Sequence, residues 1–255
     1  MYAKKQNKKI TVIIQARLDS TRLPKKVSKK IQNKPMIWHV INRIKKTHGV
    51  EQIILATSDD PSDIPLLKIA KKENIIAFAG NKKNVLNRYF ECAKEFSADP
   101  IIRITGDCPL IDFSIVERML KKFLKNDYDY MTNTNPPTFP DGLDVEIFSF
   151  KSIEKAHKLA KLKSEKEHVT PYILKNLKKF KIYNFSNKTN LSHFRWTVDE
   201  IDDLKLIRKI FAQLKSKKNF LTEDVLKLFE KNPDLLKINS HISRNEGYLL
   251  SLKND

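Results

Sequence analysis

The amino-acid sequence predicts an α/β fold in which a mostly parallel sheet is flanked by helices. In the first half of the 255 residues, continuous apolar runs alternate with amphipathic segments of helical period. Continuous apolar runs are typical of strands buried on both faces, as in parallel sheets built from βαβ units. The predicted strands are Ile10–Gln15, Gln52–Ala56, Ile75–Phe78 and Ile101–Ile104, and the predicted helices are Pro35–Lys46, Ile64–Lys72, Lys83–Phe96 and Phe113–Leu124.

The second half of the chain has a less regular pattern. Neither a linker-like change of composition nor an internal repeat interrupts it, so we expect a single domain over 1–255. We divide this domain into a first part at about 8–127, a second part at about 128–230 and a tail at 231–255. The second half is expected to contain strands at Tyr128–Thr132, Val145–Phe148, Lys181–Phe185 and Phe194–Val198, helices at Ile153–Leu162, Glu165–Asn176, Asp202–Leu214 and Thr222–Glu230, and an irregular tail from Asn232 to Asp255.

The strongly basic composition comes from lysine: 40 of the 49 basic residues are lysines, and the net charge is +19. Proteins that read nucleic acid favour clustered arginine, whose planar group forks onto phosphate and guanine. The lysines here are dispersed along predicted helices, as on a solvated surface. We therefore expect no nucleic-acid partner. A basic nucleic-acid-binding protein is the non-enzyme alternative, and it predicts steeply salt-dependent binding.

Two cysteines, Cys92 and Cys108, form neither a CxxC pair nor a disulfide framework, which is typical of a reducing compartment. The basic N-terminus leads into a predicted strand and lacks the apolar core of a signal peptide. No apolar run approaches the roughly 18 residues that a membrane span needs. These features indicate a cytoplasmic protein with no membrane span.

A basic loop, Gln15–Lys26, follows the first predicted strand and is the strongest local signal for function. Such a loop suits a triphosphate. Arg17 and Arg22 can fork onto phosphate oxygens, and Lys26 supplies a compact positive charge that offsets the charge developing on departing pyrophosphate. Backbone N–H groups of such a loop can also face an anion. A surface loop held by Ser and Thr turns is the alternative reading, and the loop is not a Walker A motif.

Two aspartates follow predicted strands and are candidate metal ligands. Asp107 comes directly after a strand and after Gly106, which allows a tight turn, and Mg²⁺ prefers one or two carboxylates plus phosphates. Helix capping is the alternative role for Asp107, although Asp112 is better placed as the cap. Asp199 follows the predicted strand that contains Arg195, where it can complete the ion site. The acids after Asp199 also suit a helix N-terminus.

Residues 13–37, IIQARLDSTRLPKKVSKKIQNKPMI, resemble the opening of the CMP-sugar-acid synthetases, a cytidylyltransferase family. The pattern is similar to that of 3-deoxy-manno-octulosonate cytidylyltransferases and most similar to the spore-coat-polysaccharide cytidylyltransferase-like branch, in which QAR replaces PAR. The resemblance covers nearly the whole chain, because further motifs occur in order at 85–89, 105–111, 140–146, 167–170, 196–199, 238–241 and 244–248.

This resemblance implies a GT-A-like nucleotidyltransferase fold, CTP as donor and Mg²⁺ as cofactor. It implies that the first part of the chain binds the nucleotide and the second part binds a sugar-type acceptor, and it leaves a homodimer open. Lys25 and Asn33 stand where the family commonly has glycine. The implied site residues are Arg17, Arg22, Lys26 and Asp107 for catalysis; Ala16, Arg17, Ser20, Thr21, Arg22, Lys26, Arg88, Thr105 and Gly106 for the nucleotide; Asp107 and Asp199 for the metal; and Asp141, Glu146, His168 and Arg195 for the acceptor. Arg195 offers a cation suited to a carboxylate or phosphate on the acceptor, and pairing with Asp202 or Asp203 is the alternative.

The predicted reaction is attack by an acceptor oxygen on the α-phosphorus of CTP, with release of pyrophosphate. Thr105 stands where the synthetases often have glutamine near the sugar and nucleotide, so the acceptor stays open. An enzyme that joins another nucleotide to a sugar phosphate is one alternative, and a GT-A glycosyltransferase is a second. The basic loop favours a triphosphate over a nucleotide diphosphate sugar.

Overall fold

A computed structural model describes residues 8–244, 246–252 and 255 of the chain. The strands are β1 Lys9–Gln15, β2 Lys30–Ile31, β3 Lys34–Pro35, β4 Gln52–Ser58, β5 Ile76–Gly80, β6 Ala98–Thr105, β7 Tyr130–Thr132, β8 Glu146–Phe148 and β9 Ile182–Asn184. The helices are α1 Met36–Ile44, α2 Ile64–Lys72, α3 Val85–Glu95, α4 Phe113–Leu124, α5 Phe150–Leu159, α6 Lys163–His168, α7 Pro171–Lys175, α8 Ile201–Gln213, α9 Thr222–Lys231 and α10 Glu246–Leu252.

Seven of these strands form one sheet, in the order β5-β4-β1-β6-β8-β7-β9. The pairs β5–β4, β4–β1 and β1–β6 are parallel, whereas β8 lies antiparallel to both β6 and β7. The chain runs from β1 to β4 and β5 on one side, then returns to place β6 on the other side of β1. The predicted mostly parallel sheet is confirmed, and the gap between the loops after β1 and β6 is its topological switch point.

Two apolar clusters cover the two faces of the sheet, because side chains alternate along each strand. Val12 and Ile14 of β1 belong to the cluster that contains α1, α4, α8 and α9. Ile13, between them, belongs to the cluster that contains α3, α5 and α7. Among the described residues, no helix is long and apolar enough to cross a membrane.

Asp112, and not the candidate catalytic acid Asp107, caps the N-terminus of helix α4. The Asp112 carboxylate accepts from the backbone N–H of Ser114, at 2.9 Å, and so caps α4. It also accepts from the backbone and hydroxyl of Thr222, which begins α9. Asp107 therefore has no capping role at α4, as the sequence suggested.

Three predicted elements of the second half are wrong. Residues 194–198 form no strand and contribute only an isolated bridge between Asp141 and Arg195. The predicted helix Glu165–Asn176 is two short helices, α6 and α7, because Val169 has φ +73° and the residue before Pro171 is disfavoured in a helix. The tail is not irregular, since it contains a 3₁₀ segment at Pro233–Ile238 and helix α10.

Candidate active site

The candidate site lies at the carboxyl ends of β1 and β6, where Gln15 pairs in register with Thr105. The next residues, Ala16 and Gly106, are packed together so tightly that a Cβ on Gly106 would lie 2.9 Å from the Ala16 Cβ. Only glycine fits there, which explains why a glycine precedes Asp107. The two loops open into adjoining cavities of about 420 Å³ and 560 Å³.

The smaller cavity is lined by the basic loop. The structure brings together eight of the predicted nucleotide-binding residues there, and Asp107 and Asp199 lie in the same wall. The Arg17 side chain is exposed, and within the described ranges it has no hydrogen-bond or ion-pair partner. The predicted residues that line this cavity are Ala16, Arg17, Ser20, Thr21, Arg22, Lys26, Thr105 and Gly106.

A buried acid holds the basic loop in place. The backbone N–H of Leu18 donates to the Asp63 carboxylate at 2.7 Å, and Asp63 is 1% exposed. The other oxygen of Asp63 accepts from Ser58 at the end of β4. Lys25, further along the loop, has φ +54°, which is the left-handed conformation that favours glycine. This geometry fits the resemblance, in which glycine is usual at that position.

Asp107 and Asp199 converge on one cation, the ammonium of Lys26. The Lys26 Nζ lies 2.6 Å from Asp107 Oδ2 and 2.7 Å from Asp199 Oδ1. The backbone brings the two acids together, because the N–H of Val198 donates to the Asp107 carbonyl at 2.9 Å. Burial alone would lower the pKa of Lys26, but the two carboxylates raise it above its ordinary value. Burial would raise the pKa of Asp107, and Lys26 holds it below its ordinary value.

The donor set suits a divalent cation that also binds phosphate. Mg²⁺ typically takes one or two carboxylates and completes its shell with phosphate oxygens and water. Asp107 and Asp199 supply two carboxylates, and the Lys26 ammonium already marks a position at which they hold a positive charge. The described part of the chain contains no group of three or more His, Cys, Asp or Glu residues arranged for a metal. The pair therefore fits a site that is completed by substrate.

Arg22 lies at the junction of the two cavities and lines both of them. Its guanidinium pairs with Asp199 at 3.0 Å and with Glu246 at 3.5 Å. Asp107, Asp199, Thr105 and His168 also line both cavities. A group bound in one cavity can therefore meet a group bound in the other at these side chains.

The larger cavity has an acidic wall that extends from β8. Asp144 lies in this wall, with 32% of its side chain exposed and one oxygen 2.8 Å from Arg244. Burial, together with the charges of Asp141 and Glu146, raises the pKa of Asp144 to about 7 even though Arg244 opposes the shift. Lys175 lines the same cavity and has no hydrogen-bond or ion-pair partner within the described ranges.

Two acids predicted to bind the acceptor line this cavity but are already engaged. The Asp141 carboxylate accepts from Arg195 at 2.9 Å and is 7% exposed. Glu146 is also buried and accepts from Arg103, Tyr130 and Thr170. Arg103 and Glu146 face each other in the β6–β8 register, so this pair stabilises the sheet. Direct acceptor contacts by either acid are not supported by this geometry.

Arg195 is not the free cation that the sequence suggested. Its guanidinium forks onto Asp203, at 2.9 and 3.0 Å, and also donates to Asp141 and Asp199. The alternative, in which Arg195 pairs with an acid of the following helix, is the arrangement observed. Asp203 in turn accepts from the backbone N–H of Asp199 at 2.9 Å. Arg195 therefore orients Asp199 and has no hydrogen-bonding edge left for an acceptor carboxylate.

Arg88, predicted to bind the nucleotide, lies behind the cavity wall. It is 1% exposed, and its guanidinium donates to the backbone carbonyls of Asn81 and Lys82. It holds the loop after β5 and does not line either cavity. The sequence showed a basic residue in a family motif, and it could not show that the helix α3 position faces the interior.

The C-terminal helix α10 covers both cavities, which sequence reasoning missed. Glu246 and Tyr248 line the larger cavity and Ser251 lines the smaller one. Ser251 Oγ lies 2.7 Å from His168 Nε2, and the Tyr248 ring meets the His168 ring edge to face at 5.1 Å. Burial lowers the pKa of His168, so its ring is neutral near pH 7. The predicted acceptor residue His168 is thus held against the tail.

Comparison with known proteins identifies the class of enzyme that this fold and site define. The cytidylyltransferase family matches residues 11–238 of the chain. A solved cytidylyltransferase from Leptospira borgpetersenii serovar Hardjo-bovis is 33% identical, with a TM-score of 0.86, and the match covers 90% of this chain and 97% of that one. The chain belongs to the cytidylyltransferase family and is a nucleotidyltransferase, with the fold that such enzymes share.

Two curated relatives agree with the resemblance found in the sequence. The spore coat polysaccharide biosynthesis protein SpsF of Bacillus subtilis is 25% identical over 232 residues, which is 88% of this chain and 95% of SpsF. The 3-deoxy-manno-octulosonate cytidylyltransferase 2 of Hydrogenovibrio crunogenus is 32% identical over 149 residues, 57% of this chain and 59% of that protein. The predicted relationship to both branches is confirmed.

Proposed function

We propose that this enzyme transfers CMP from CTP to a sugar acid or a related surface-polysaccharide precursor, with a divalent cation, Mg²⁺, as cofactor. The observation that carries the proposal is the junction of the two cavities, where Asp107, Asp199, Arg22 and Lys26 meet. A donor in the smaller cavity and an acceptor in the larger one would share Arg22, Asp107 and Asp199, which line both cavities.

The cation-rich smaller cavity supports a triphosphate donor. Arg17 is available to a phosphate without breaking any contact, and Arg22 and Lys26 would exchange carboxylate partners for phosphate oxygens. Arginine suits bidentate contacts to phosphate, whereas lysine acts as a point charge. CTP is the proposed nucleotide because the family is one of cytidylyltransferases.

The larger cavity supports a polar acceptor with several hydroxyl groups. Asp144 offers a free carboxylate oxygen, while Thr134 and Asn135 add neutral polar groups. Tyr248 provides an aromatic face on the same wall. Lys175 is the cation that an acceptor carboxylate would meet, in place of Arg195. The names of SpsF and of the octulosonate enzyme support a precursor of this class.

The proposed step is an in-line displacement at the α-phosphorus. An acceptor oxygen forms the new bond to phosphorus, and the bond to the bridging oxygen of the β-phosphate breaks. Pyrophosphate leaves with the bonding electron pair, and the acceptor hydroxyl gives up its proton to solvent water. Arg22 and Lys26 would offset charge on the leaving pyrophosphate, and positioning would supply much of the remaining acceleration.

The cofactor would be held by Asp107 and Asp199. When bound there, Mg²⁺ would supply positive charge that offsets the negative charge of the phosphate oxygens. Arg195 would keep Asp199 in place through the Asp203 network. We propose as well that the chain works as one domain in the cytoplasm, with the donor held mainly by residues 8–127 and the acceptor mainly by residues 128–230.

Pyrophosphate release measures this function directly. CTP, UTP, ATP and GTP are each incubated with sugar acids and sugar phosphates, with Mg²⁺ or with chelator. The proposal predicts release that requires CTP, an acceptor and the divalent cation together. Release with a different nucleotide and a sugar phosphate would select the alternative enzyme, and no release with any pair would contradict the proposal.

Site variants test the location of the chemistry. We expect Asp107→Asn and Asp199→Asn to lower turnover by about a hundredfold or more, because each removes a charge from the proposed cation site. Asp202→Asn is the matched control, since this acid pairs with Lys205 on the outside of α8 and lines neither cavity. Near-normal turnover in folded Asp107→Asn protein would place the reaction elsewhere.

A further inference from the structure

The Lys26 ammonium occupies the position at which a divalent cation would bind. Its Nζ contacts one oxygen of Asp107 and one of Asp199, at 2.6 and 2.7 Å, and its side chain is 14% exposed. A cation held by both aspartates would compete with the ammonium for these two carboxylates. The ammonium and the metal ion are therefore alternatives at this point, because two positive charges in one polar pocket repel each other strongly.

Cationic side chains of the protein itself pair with both aspartates. Asp199 is additionally paired with Arg22 at 3.0 Å and Arg195 at 3.1 Å. Two carboxylates so close together would otherwise repel each other. Lys26 offsets this repulsion and holds both carboxylates near each other before any substrate arrives. Its flexible four-carbon stem allows the ammonium to change partners without moving the backbone.

A triphosphate supplies the new partner. It brings several anionic oxygens into the smaller cavity, which Lys26, Arg22 and Arg17 all line. Transfer of the Lys26 ammonium from carboxylate to phosphate frees both aspartates at the moment when phosphate oxygens can complete a metal shell. The exchange leaves the Lys26 ammonium and both aspartates paired with opposite charges, before and after substrate binding.

We propose that Lys26 is an internal counter-ion that closes the metal site of the ligand-free enzyme, so that the divalent cation binds together with the triphosphate and not before it. This role deepens the proposed function, on which it rests. It makes Lys26 a positioning residue for Asp107 and Asp199 as well as a phosphate ligand.

Manganese binding tests the proposal without any need for turnover. Mn²⁺ bound to wild type, Lys26→Met and Lys25→Met is measured by equilibrium dialysis, with and without inorganic tripolyphosphate at equal concentration on both sides. Lys25 is the matched control, because it is exposed, adjacent and without an ion-pair partner in the described part of the chain. Lys26→Gln is a second variant, which retains hydrogen bonding if the Met variant does not fold.

We expect Lys26→Met to bind Mn²⁺ alone at least tenfold more tightly than wild type, with Lys25→Met unchanged. Tripolyphosphate should raise Mn²⁺ affinity strongly in wild type and only weakly in Lys26→Met. Adding Asp107→Asn to Lys26→Met should remove the gained site. Equal Mn²⁺ affinity of wild type and both Lys26 variants would overturn the proposal. Because the probe is tripolyphosphate, failure of CTP as donor leaves this result intact.

Discussion

Replacement of Arg195 by a residue without a guanidinium should mainly lower the free energy of unfolding and should have little effect on the acceptor KM. Asp203, its main partner, is fully buried and receives two of its hydrogen bonds. Breaking a buried ion pair by removing one partner costs about 3–5 kcal/mol. In the Arg195→Met variant, Asp203 would keep hydrogen bonds from Asn239 and from two backbone N–H groups. We therefore expect a loss of unfolding free energy near the low end of this range, about 3 kcal/mol.

Urea denaturation followed by circular dichroism measures this loss as a free energy of unfolding. Arg195→Lys should lose about 1.5 kcal/mol, because the charge remains but the fork onto Asp203 does not. Arg208→Met is the control: this arginine is exposed and donates to one backbone carbonyl, so we expect a change of about 0.5 kcal/mol. A stability loss below about 1 kcal/mol for Arg195→Met, together with a raised acceptor KM, would refute the structural role.

The same network has a defined pH dependence. Burial would raise the pKa of Asp203, but its hydrogen bonds from Arg195 and Asn239 hold it below the ordinary value. A folded-state pKa below the unfolded value stabilises the protein above about pH 4, and this stabilisation is lost as the pH falls. The stability difference between wild type and Arg195→Met should therefore shrink in acid. A difference that grows below pH 4 would contradict the assignment.

Three further predictions concern single side chains. Lys25→Gly should raise the free energy of unfolding by about 0.5–1 kcal/mol in urea denaturation, since glycine removes the left-handed strain. The Asp144→Asn variant should gain stability relative to wild type as the pH rises from about 4 to 7, because the folded-state pKa of Asp144, about 7, lies above its unfolded value. A stability difference between the two proteins that does not change with pH would contradict that shift. The Tyr248→Ala variant should raise the acceptor KM about tenfold and leave the CTP KM unchanged, whereas Tyr248→Phe, which keeps the aromatic ring, should stay near wild type. Equal effects on the KM of both substrates would contradict a role of the Tyr248 ring in acceptor binding.

The proximity of the proposed donor-binding residues was predictable because these residues are local in sequence. Arg17, Arg22 and Lys26 lie on one loop after a strand that the apolar pattern marks clearly. Asp107 follows β6, whereas Asp199 follows a segment that forms no strand, so their meeting depends on the backbone contact between Val198 and Asp107.

The surroundings of the proposed acceptor-binding residues were predicted less well, because the side chains that contact them are distant in sequence. The sequence shows the acids Asp141 and Glu146, but it does not show that Arg195 and Arg103 lie opposite them. Helix α10 has only seven residues, too few for an apolar period to be recognised. Its contact between Glu246 and Arg22 spans almost the whole chain, so only the folded protein reveals it.

The fate of the α-phosphorus of CTP tests the central claim most directly. CTP labelled at this phosphorus is incubated with wild-type enzyme, Mg²⁺ and each acceptor that releases pyrophosphate, and the products are separated. The account predicts that the label appears in a CMP–acceptor conjugate in one-to-one ratio with pyrophosphate, and that Asp199→Asn forms neither. Label recovered only as CDP or free CMP, with or without acceptor, would contradict nucleotidyl transfer at this site.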